Sequence, residues 1–234
     1  MNKGKLHLIP NILSEDGLQS IPFYIHELVK NISIFYVEEI KSARRFLKKI
    51  DSAIQIDDLT FYILNEHQSN DLQQFANHIK TNDIGYISEA GCPCVADPGQ
   101  QLVEIAHQLQ VDVVPHVGPN AILLTLMASG FNGQQFIFHG YLPNKQPFLN
   151  EKIKSLELHS RMQQFTELFI ETPYRNKQLI AELLSLCHSQ TKLCIACNLT
   201  AKDEWIKTKT IAEWKKVSFD FLHKKPCVFA LYAG

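Results

Sequence analysis

No stretch of the chain approaches the roughly 18 consecutive apolar residues that a membrane span requires. The opening residues, Met1 to His7, lack an apolar signal core, so no export and a cytoplasmic place are expected. Charge of one sign is also lacking: 23 Lys and Arg stand against 24 Asp and Glu, a net charge of −1. That excludes a basic footprint over the whole protein and leaves only a local patch for nucleic acid. Glycine and proline, 10 each, are too few for collagen or a low-complexity tail. Three glycine signatures are missing: the phosphate-cradling G-x-x-x-x-G-K-[ST], the dinucleotide G-x-G-x-x-G and the nucleophile elbow G-x-S-x-G. Six cysteines make no disulfide scaffold and suit reduced thiols. Cys194 and Cys197 form a C-x-x-C, but Lys192 to Cys197 reads as a strand, where positions i and i+3 face opposite sides and cannot share one ion. Cys92-x-Cys94 has no matching second pair, so no metal is expected.

What is present is an ordinary globular mixture: 234 residues, 45% hydrophobic and 20% charged. That length suits one large or two small domains. Short apolar runs at 6–9, 32–37, 59–64, 84–88 and 111–114 read as strands. Between them lie helical patterns, including one with Phe46, Leu47 and Ile50 at helical spacing and another with Leu102, Val103, Ile105, Ala106 and Leu109. This rhythm predicts a parallel, helix-covered sheet. The second half changes character, with a helix over 121–129, strands at 136–140, 168–170, 193–197 and 228–232, and helices near 147–164 and 174–187. The Pro/Gly turn from Pro115 to Gly118 marks a boundary, giving an N-terminal domain over 1–116 and a C-terminal domain over 117–234.

In an open α/β sheet, ligands bind beyond the carboxyl ends of the strands. Three unusual loops sit there. Ser88 to Gly99 carries Glu89, Asp97, Gly91 and Pro93; it suits a polar, partly cationic small ligand, or a sharp connection in which Asp97 caps a helix. Val117-Gly118-Pro119-Asn120-Ala121 suits a ligand-facing loop, or is a capped helix start. Glu171-Thr172-Pro173-Tyr174-Arg175 suits a ligand-facing loop, or is an ion-paired turn. Glu38, Glu66 and His67 follow the second and third strands, where a general base would sit, or are surface polar residues. The basic helix of Lys41, Arg44, Arg45, Lys48 and Lys49 suits phosphates, or is a solvated face.

Taken in order, these segments resemble the tetrapyrrole methylase superfamily, the class III S-adenosylmethionine-dependent methyltransferases, and above all the branch that methylates the ribose 2′-oxygen of bacterial small-subunit ribosomal RNA. The family's S-D-A-G-x-P-x-x-S-D-P-G stands here as Ser88-Glu89-Ala90-Gly91-Cys92-Pro93-Cys94-Val95-Ala96-Asp97-Pro98-Gly99. Its P-G-P-S-A stands as Val117-Gly118-Pro119-Asn120-Ala121. Its F-x-F-x-G-F-L-P-x-K stands as Phe136 to Lys145, and its Y-E-S-P-H-R as Ile170 to Arg175. Its R-E-L-T is matched in part by Cys197-Asn198-Leu199-Thr200. Departures fall where substrate is expected: E-D-T-R reads Glu38-Glu39-Ile40-Lys41, and P-T-P-I-G-N reads Pro10-Asn11-Ile12-Leu13-Ser14-Glu15 without its glycine.

The resemblance implies two α/β domains, the cofactor S-adenosyl-L-methionine in a cleft between them, a homodimer, and RNA, as in a ribosomal subunit, as partner. It implies cofactor contacts at Pro10, Glu89, Ala90, Gly91, Cys92, Pro93, Asp97, Gly118, Pro119, Asn120, Ala121, Glu171, Thr172 and Leu199. Substrate contacts would come from Lys41, Arg44, Arg45 and Lys145, and a base from Glu38, Glu66 or His67. Two other functions remain open at this stage: C-methylation of a tetrapyrrole, or a non-catalytic relative that binds cofactor or RNA.

Overall fold

A computed structural model describes residues 4–64 and 69–234. The chain divides into two compact units, one through Asn120 and one from Ala121. The break lies at the far end of the 117–121 turn rather than before it.

The first unit runs β1 (Lys5–Ile9), α1 (Tyr24–Val29), β2 (Ile34–Val37), α2 (Ile40–Ile50), β3 (Thr60–Ile63), α3 (Ser69–His78), β4 (Ile84–Ile87), α4 (Gln100–Gln108) and β5 (Asp112–Pro115). Its sheet has the order β3-β2-β4-β1-β5, and each of these pairings is parallel. Strand alternation sends the two sets of side chains to two covered faces. Ile9, Phe35, Val37 and Ile87 pack with Ile25 and Val29 of α1 and with Ala43, Phe46, Leu47 and Ile50 of α2. Leu6, Leu8, Tyr36, Ile84 and Tyr86 pack with Phe75 of α3 and with Leu102 and Ala106 of α4. Helix α2 forms because its apolar residues recur at 43, 46, 47 and 50, and because Glu39 caps it: this carboxylate accepts from the amides of Lys41 and Ser42. Each fully buried Phe or Leu of this kind stabilises the unit by about 1.5–3 kcal/mol.

The second unit runs α5 (Ala121–Ser129), β6 (Phe136–Tyr141), α6 (Phe148–Gln163), β7 (Thr166–Glu171), α7 (Asn176–Leu186), β8 (Lys192–Cys197), β9 (Trp205–Thr210), α8 (Ile211–Trp214) and β10 (Cys227–Tyr232). Its sheet has the order β6-β7-β10-β8-β9, in which only β6 and β7 run parallel. Cys194 belongs to the cluster under α5, whereas Cys197 belongs to the cluster under α6, α7 and α8. The C-x-x-C therefore points to both faces of β8, as strand geometry requires. No helix among the described residues is long and apolar enough to cross a membrane.

The sequence pattern announces neither α1, α3 nor β9. Helix α1 has six residues, too few for a clear period. Helix α3 is mostly polar. Strand β9 lies at a sheet edge and alternates Lys207 and Lys209 with Ile206 and Thr208, so half of it reads as surface.

Candidate functional site

The strand order decides where a ligand can sit. From β1 the chain crosses to one side, toward β2 and β3; from β4 it crosses to the other, toward β5. Neighbouring strands β1 and β4 thus form a switch point, and the loops beyond their carboxyl ends part around a crevice.

Those loops are bonded to one another. Asn11, just after β1, exchanges two backbone hydrogen bonds with Gly91, at 2.9 and 3.1 Å. The Asn11 side-chain amide donates to the carbonyls of Ser88 (3.0 Å) and Glu89 (2.9 Å), and its oxygen accepts from the Ile12 amide. Gly91 adopts φ +70, and an added Cβ would stand 3.0 Å from Leu13 and 3.2 Å from the Pro119 carbonyl, so both the backbone and the space favour glycine here. Beyond β2, the Glu38 carboxylate accepts from the Glu89 amide at 2.8 Å. Beyond β5, Gly118 lies so close to Pro10 that a Cβ would approach its ring to 2.1 Å. The Cys92 thiol reaches the carbonyls of Gly118 and Pro119 at 3.4 Å. Burial raises that thiol's pKa, while the Asn120 side chain opposes the rise. Pro10, Glu38, Glu89 to Cys92 and Gly118 to Pro119 are thus brought together at one edge.

Farther along the loop, Asp97 accepts from the Tyr86 hydroxyl and the Gly99 amide, both at 2.8 Å. Burial first, and the Asp97 charge second, push the Tyr86 phenol upward, so it remains a donor. The second Asp97 oxygen is buried without a hydrogen-bond partner. Burial and Asp97 together push the Cys94 thiol up to about 12. A buried carboxylate oxygen left unpaired is the kind of group a cationic ligand satisfies. The exposed Glu89 and Ala90 lie in the same loop. An adenosyl cofactor with a sulfonium and an ammonium fits this donor set.

Beside this edge opens a pocket of about 330 Å³, walled by Asn11 to Glu15, Ser42, Arg45, Phe46, Lys49, Glu89 and Ala90. The basic residues of α2 engage different partners. Arg45 and Lys49 converge on Glu15, at 3.2 and 2.6 Å. Arg44 lies 5.3 Å above the Phe61 ring, and Lys48 donates to the Ser52 carbonyl. Lys41 is exposed at the first turn.

In the second unit the Glu171 carboxylate turns back on its own loop. It accepts from the Thr172 amide at 2.7 Å, and the Arg175 guanidinium stands 2.9 Å from its other oxygen. Leu199 is buried in the connection between β8 and β9, Ala121 begins α5, and Lys145 is exposed ahead of α6. Glu66 and His67 lie outside the described residues.

Two features carry no warning in the sequence reading. Asn11 is only 2% exposed and holds the edge together; its signal is an Asn-after-Pro at a strand end. Glu167, fully buried in β7, bridges His139 of β6 and His159 of α6 at 2.5 Å each, and Lys152 donates to the other His139 nitrogen at 3.2 Å. Its signal is one acid inside an apolar strand.

No protein-family model matches the chain. Over 221 residues it is 27% identical to the Ribosomal RNA small subunit methyltransferase I of Buchnera aphidicola subsp. Schizaphis graminum, covering 92% of this chain and 74% of that protein. Among solved structures, the methyltransferase CobJ superposes with a TM-score of 0.63 at 14% identity, over 99% of this chain and 94% of that one. The uroporphyrin-III C-methyl transferase of Thermus thermophilus, complexed with S-adenyl homocysteine, gives 0.56 at 14% identity, over 98% and 97%. The two structures share this chain's fold.

Proposed function

We infer that this chain, a member of the tetrapyrrole methylase superfamily and a methyltransferase dependent on S-adenosylmethionine, methylates RNA, at a ribose 2′-oxygen of the small ribosomal subunit. The observation that carries the reading is the bonded edge of β1, β2, β4 and β5, with the unpaired Asp97 oxygen behind it. The kinship with a ribosomal RNA methyltransferase over 92% of the chain supports RNA over a macrocycle. When bound, the cofactor supplies a methyl group on a sulfonium.

The residues of this chain do the rest. Pro10, Glu89 to Pro93, Asp97, Gly118, Pro119 and Asn120 would line the cofactor in the first unit. Preset hydrogen bonds mean that little loop entropy is lost when it binds. Glu171 and Thr172 at the end of β7, Ala121 and Leu199 are the second unit's own candidates. Lys41, Arg44, Arg45 and Lys145 would meet RNA phosphates. A ribose hydroxyl needs its proton drawn away, and Glu38 is the described carboxylate at the edge that qualifies. Its bond to the Glu89 amide also gives it a positioning role. Glu38→Gln separates the two, because the amide oxygen still accepts from Glu89: a base predicts lost turnover with cofactor affinity kept.

Calorimetry with S-adenosylhomocysteine and labelled methyl transfer into cell extract, sorted into RNA, protein and small molecules, test the whole reading. Label in RNA confirms it, and hydrolysis to nucleosides then locates the methylated oxygen. Label in a tetrapyrrole replaces the substrate. Cofactor binding without transfer to anything makes the chain a non-catalytic relative. On the same reading the enzyme works in the cytoplasm as a homodimer, which sedimentation checks.

A further inference from the structure

The loop after β1 ends in a carboxylate held by two cations. Glu15 accepts from Arg45 Nη1 at 3.2 Å and from Lys49 Nζ at 2.6 Å, and Lys49 also donates to the Glu15 carbonyl. Arg45 and Lys49 stand one turn apart on α2, so their heads meet on one face. A planar guanidinium beside an ammonium, both turned to one pair of oxygens, is a fork that a phosphodiester oxygen pair satisfies equally well. The fork opens on the 330 Å³ pocket beside Glu89 and Ala90, with the Ser42 side chain on its wall.

The Glu15 side chain is 66% exposed and that of Arg45 57%, while Lys49 is 27% exposed. Water reaches the carboxylate they share and screens both pairs, so displacing Glu15 costs about a factor of five or less per pair. A phosphodiester carries the same single charge as Glu15, so replacing one by the other leaves the local balance unchanged. RNA adds what Glu15 cannot: release of its own counterions.

We propose that Arg45 and Lys49 form an RNA phosphodiester site on the wall of this pocket, and that Glu15 occupies it in the free protein and is displaced when RNA enters. This rests on the RNA reading above. It makes Glu15 a built-in competitor, so only a ligand with several phosphates opens the fork.

The probe is a fluorescein-labelled, single-stranded RNA 20-mer of mixed sequence, followed by anisotropy at several salt concentrations. The proteins are the parent, Glu15→Gln, Lys49→Ala, Glu15→Gln with Lys49→Ala, and Glu27→Gln. The last removes the same charge from an exposed pair between Glu27 of α1 and Lys30 just beyond it. Glu15→Gln should bind about two- to fivefold tighter than Glu27→Gln, the range a screened pair allows. Lys49→Ala should bind more weakly, with a salt slope smaller by about 0.7, one single-strand phosphate. The double variant should lose the gain. Equal affinities for Glu15→Gln and Glu27→Gln would overturn the proposal, as would a gain that survives in the double variant. Calorimetry with S-adenosylhomocysteine is run on each protein. Cofactor binding without RNA binding overturns the phosphodiester site and leaves the methyltransferase reading intact; uroporphyrin III bound in RNA's place would assign the fork to a macrocycle carboxylate. RNA exchange without cofactor binding leaves the site standing and removes the methyltransferase reading.

Discussion

The two units solve the problem of buried polarity differently. In the first, all five strands run one way, so their carboxyl ends fall on one edge and four loops meet there. Asn11, Glu38 and Gly91 satisfy backbone groups in those loops and leave Asp97 with an unpaired oxygen. In the second, the antiparallel pairings of β10 and β8 scatter strand ends to both edges. There Glu167 lies between two histidines and Glu171 against its own turn, while the buried Asn176 side-chain oxygen has no hydrogen-bond partner. A parallel sheet gathers its carboxyl-end loops at one edge, and a mixed sheet distributes them over two.

The sharpest way to break this contrast is Glu167→Gln. Removing one partner of a buried charged cluster should cost about 3 kcal/mol, read by urea unfolding at pH 7, with affinity for S-adenosylhomocysteine in the folded protein unchanged. The Glu167 pKa lies below its ordinary value: burial alone would raise it, but the His139 and His159 hydrogen bonds and charges outweigh burial. A depressed carboxyl pKa gives stability that is full above the unfolded value of about 4.5 and is lost as pH falls through the folded one. The gap between parent and variant should therefore hold from pH 7 to about 5 and close below 4.5. A gap that closes by pH 6 would mean that the carboxylate is not what holds the cluster.

Gly91→Val should act the other way, on the ligand edge. A branched residue at φ +70 is strained, and its Cβ would press on Leu13 and Pro119. Affinity for S-adenosylhomocysteine should fall about a hundredfold, close to 2.7 kcal/mol. Asn11→Ala leaves two carbonyls without their donor and should lower that affinity about tenfold. If Asn11→Ala weakens only stability, the bonded edge is a scaffold and not the cofactor's seat. Arg44→Ala is the smallest test: losing the contact over Phe61 should cost about 0.5 kcal/mol of stability, and losing one phosphate contact should lower the salt slope of RNA binding by about 0.7. An unchanged slope would take Arg44 off the substrate surface and leave it a packing residue.

Much of the contrast can be read from residues alone. Alternating apolar runs and helical periods announce the parallel sheet, because both patterns come from burial on two faces. The Ser88–Gly99 and Val117–Ala121 loops fall at one edge of the first sheet, since loops after parallel strands share one side. What stays hidden depends on register. Nothing in the sequence says that Asn11 stands opposite Gly91, or that Glu167 lies between residues 28 positions before it and 8 before it in the chain. The partners of the basic run on α2 stay hidden for the same reason: helical spacing separates Arg44 from Arg45 by about 100°, so one reaches Phe61 and the other Glu15. The turn from Glu171 to Arg175 offers an ion pair in the sequence, and the structure sets the Arg175 guanidinium 2.9 Å from the Glu171 carboxylate.

The Asn11–Gly91 rung has a consequence in time. Its two amide protons are tied across loops that would otherwise fray, and Asn11 is almost wholly shielded. Their exchange with deuterated solvent requires β1 and β4 to part, so their lifetimes should match those of the central strands rather than those of surface turns. The edge is then no gate that forms around each arriving molecule; it persists from one folding event to the next, and its readiness is set once, when the chain folds.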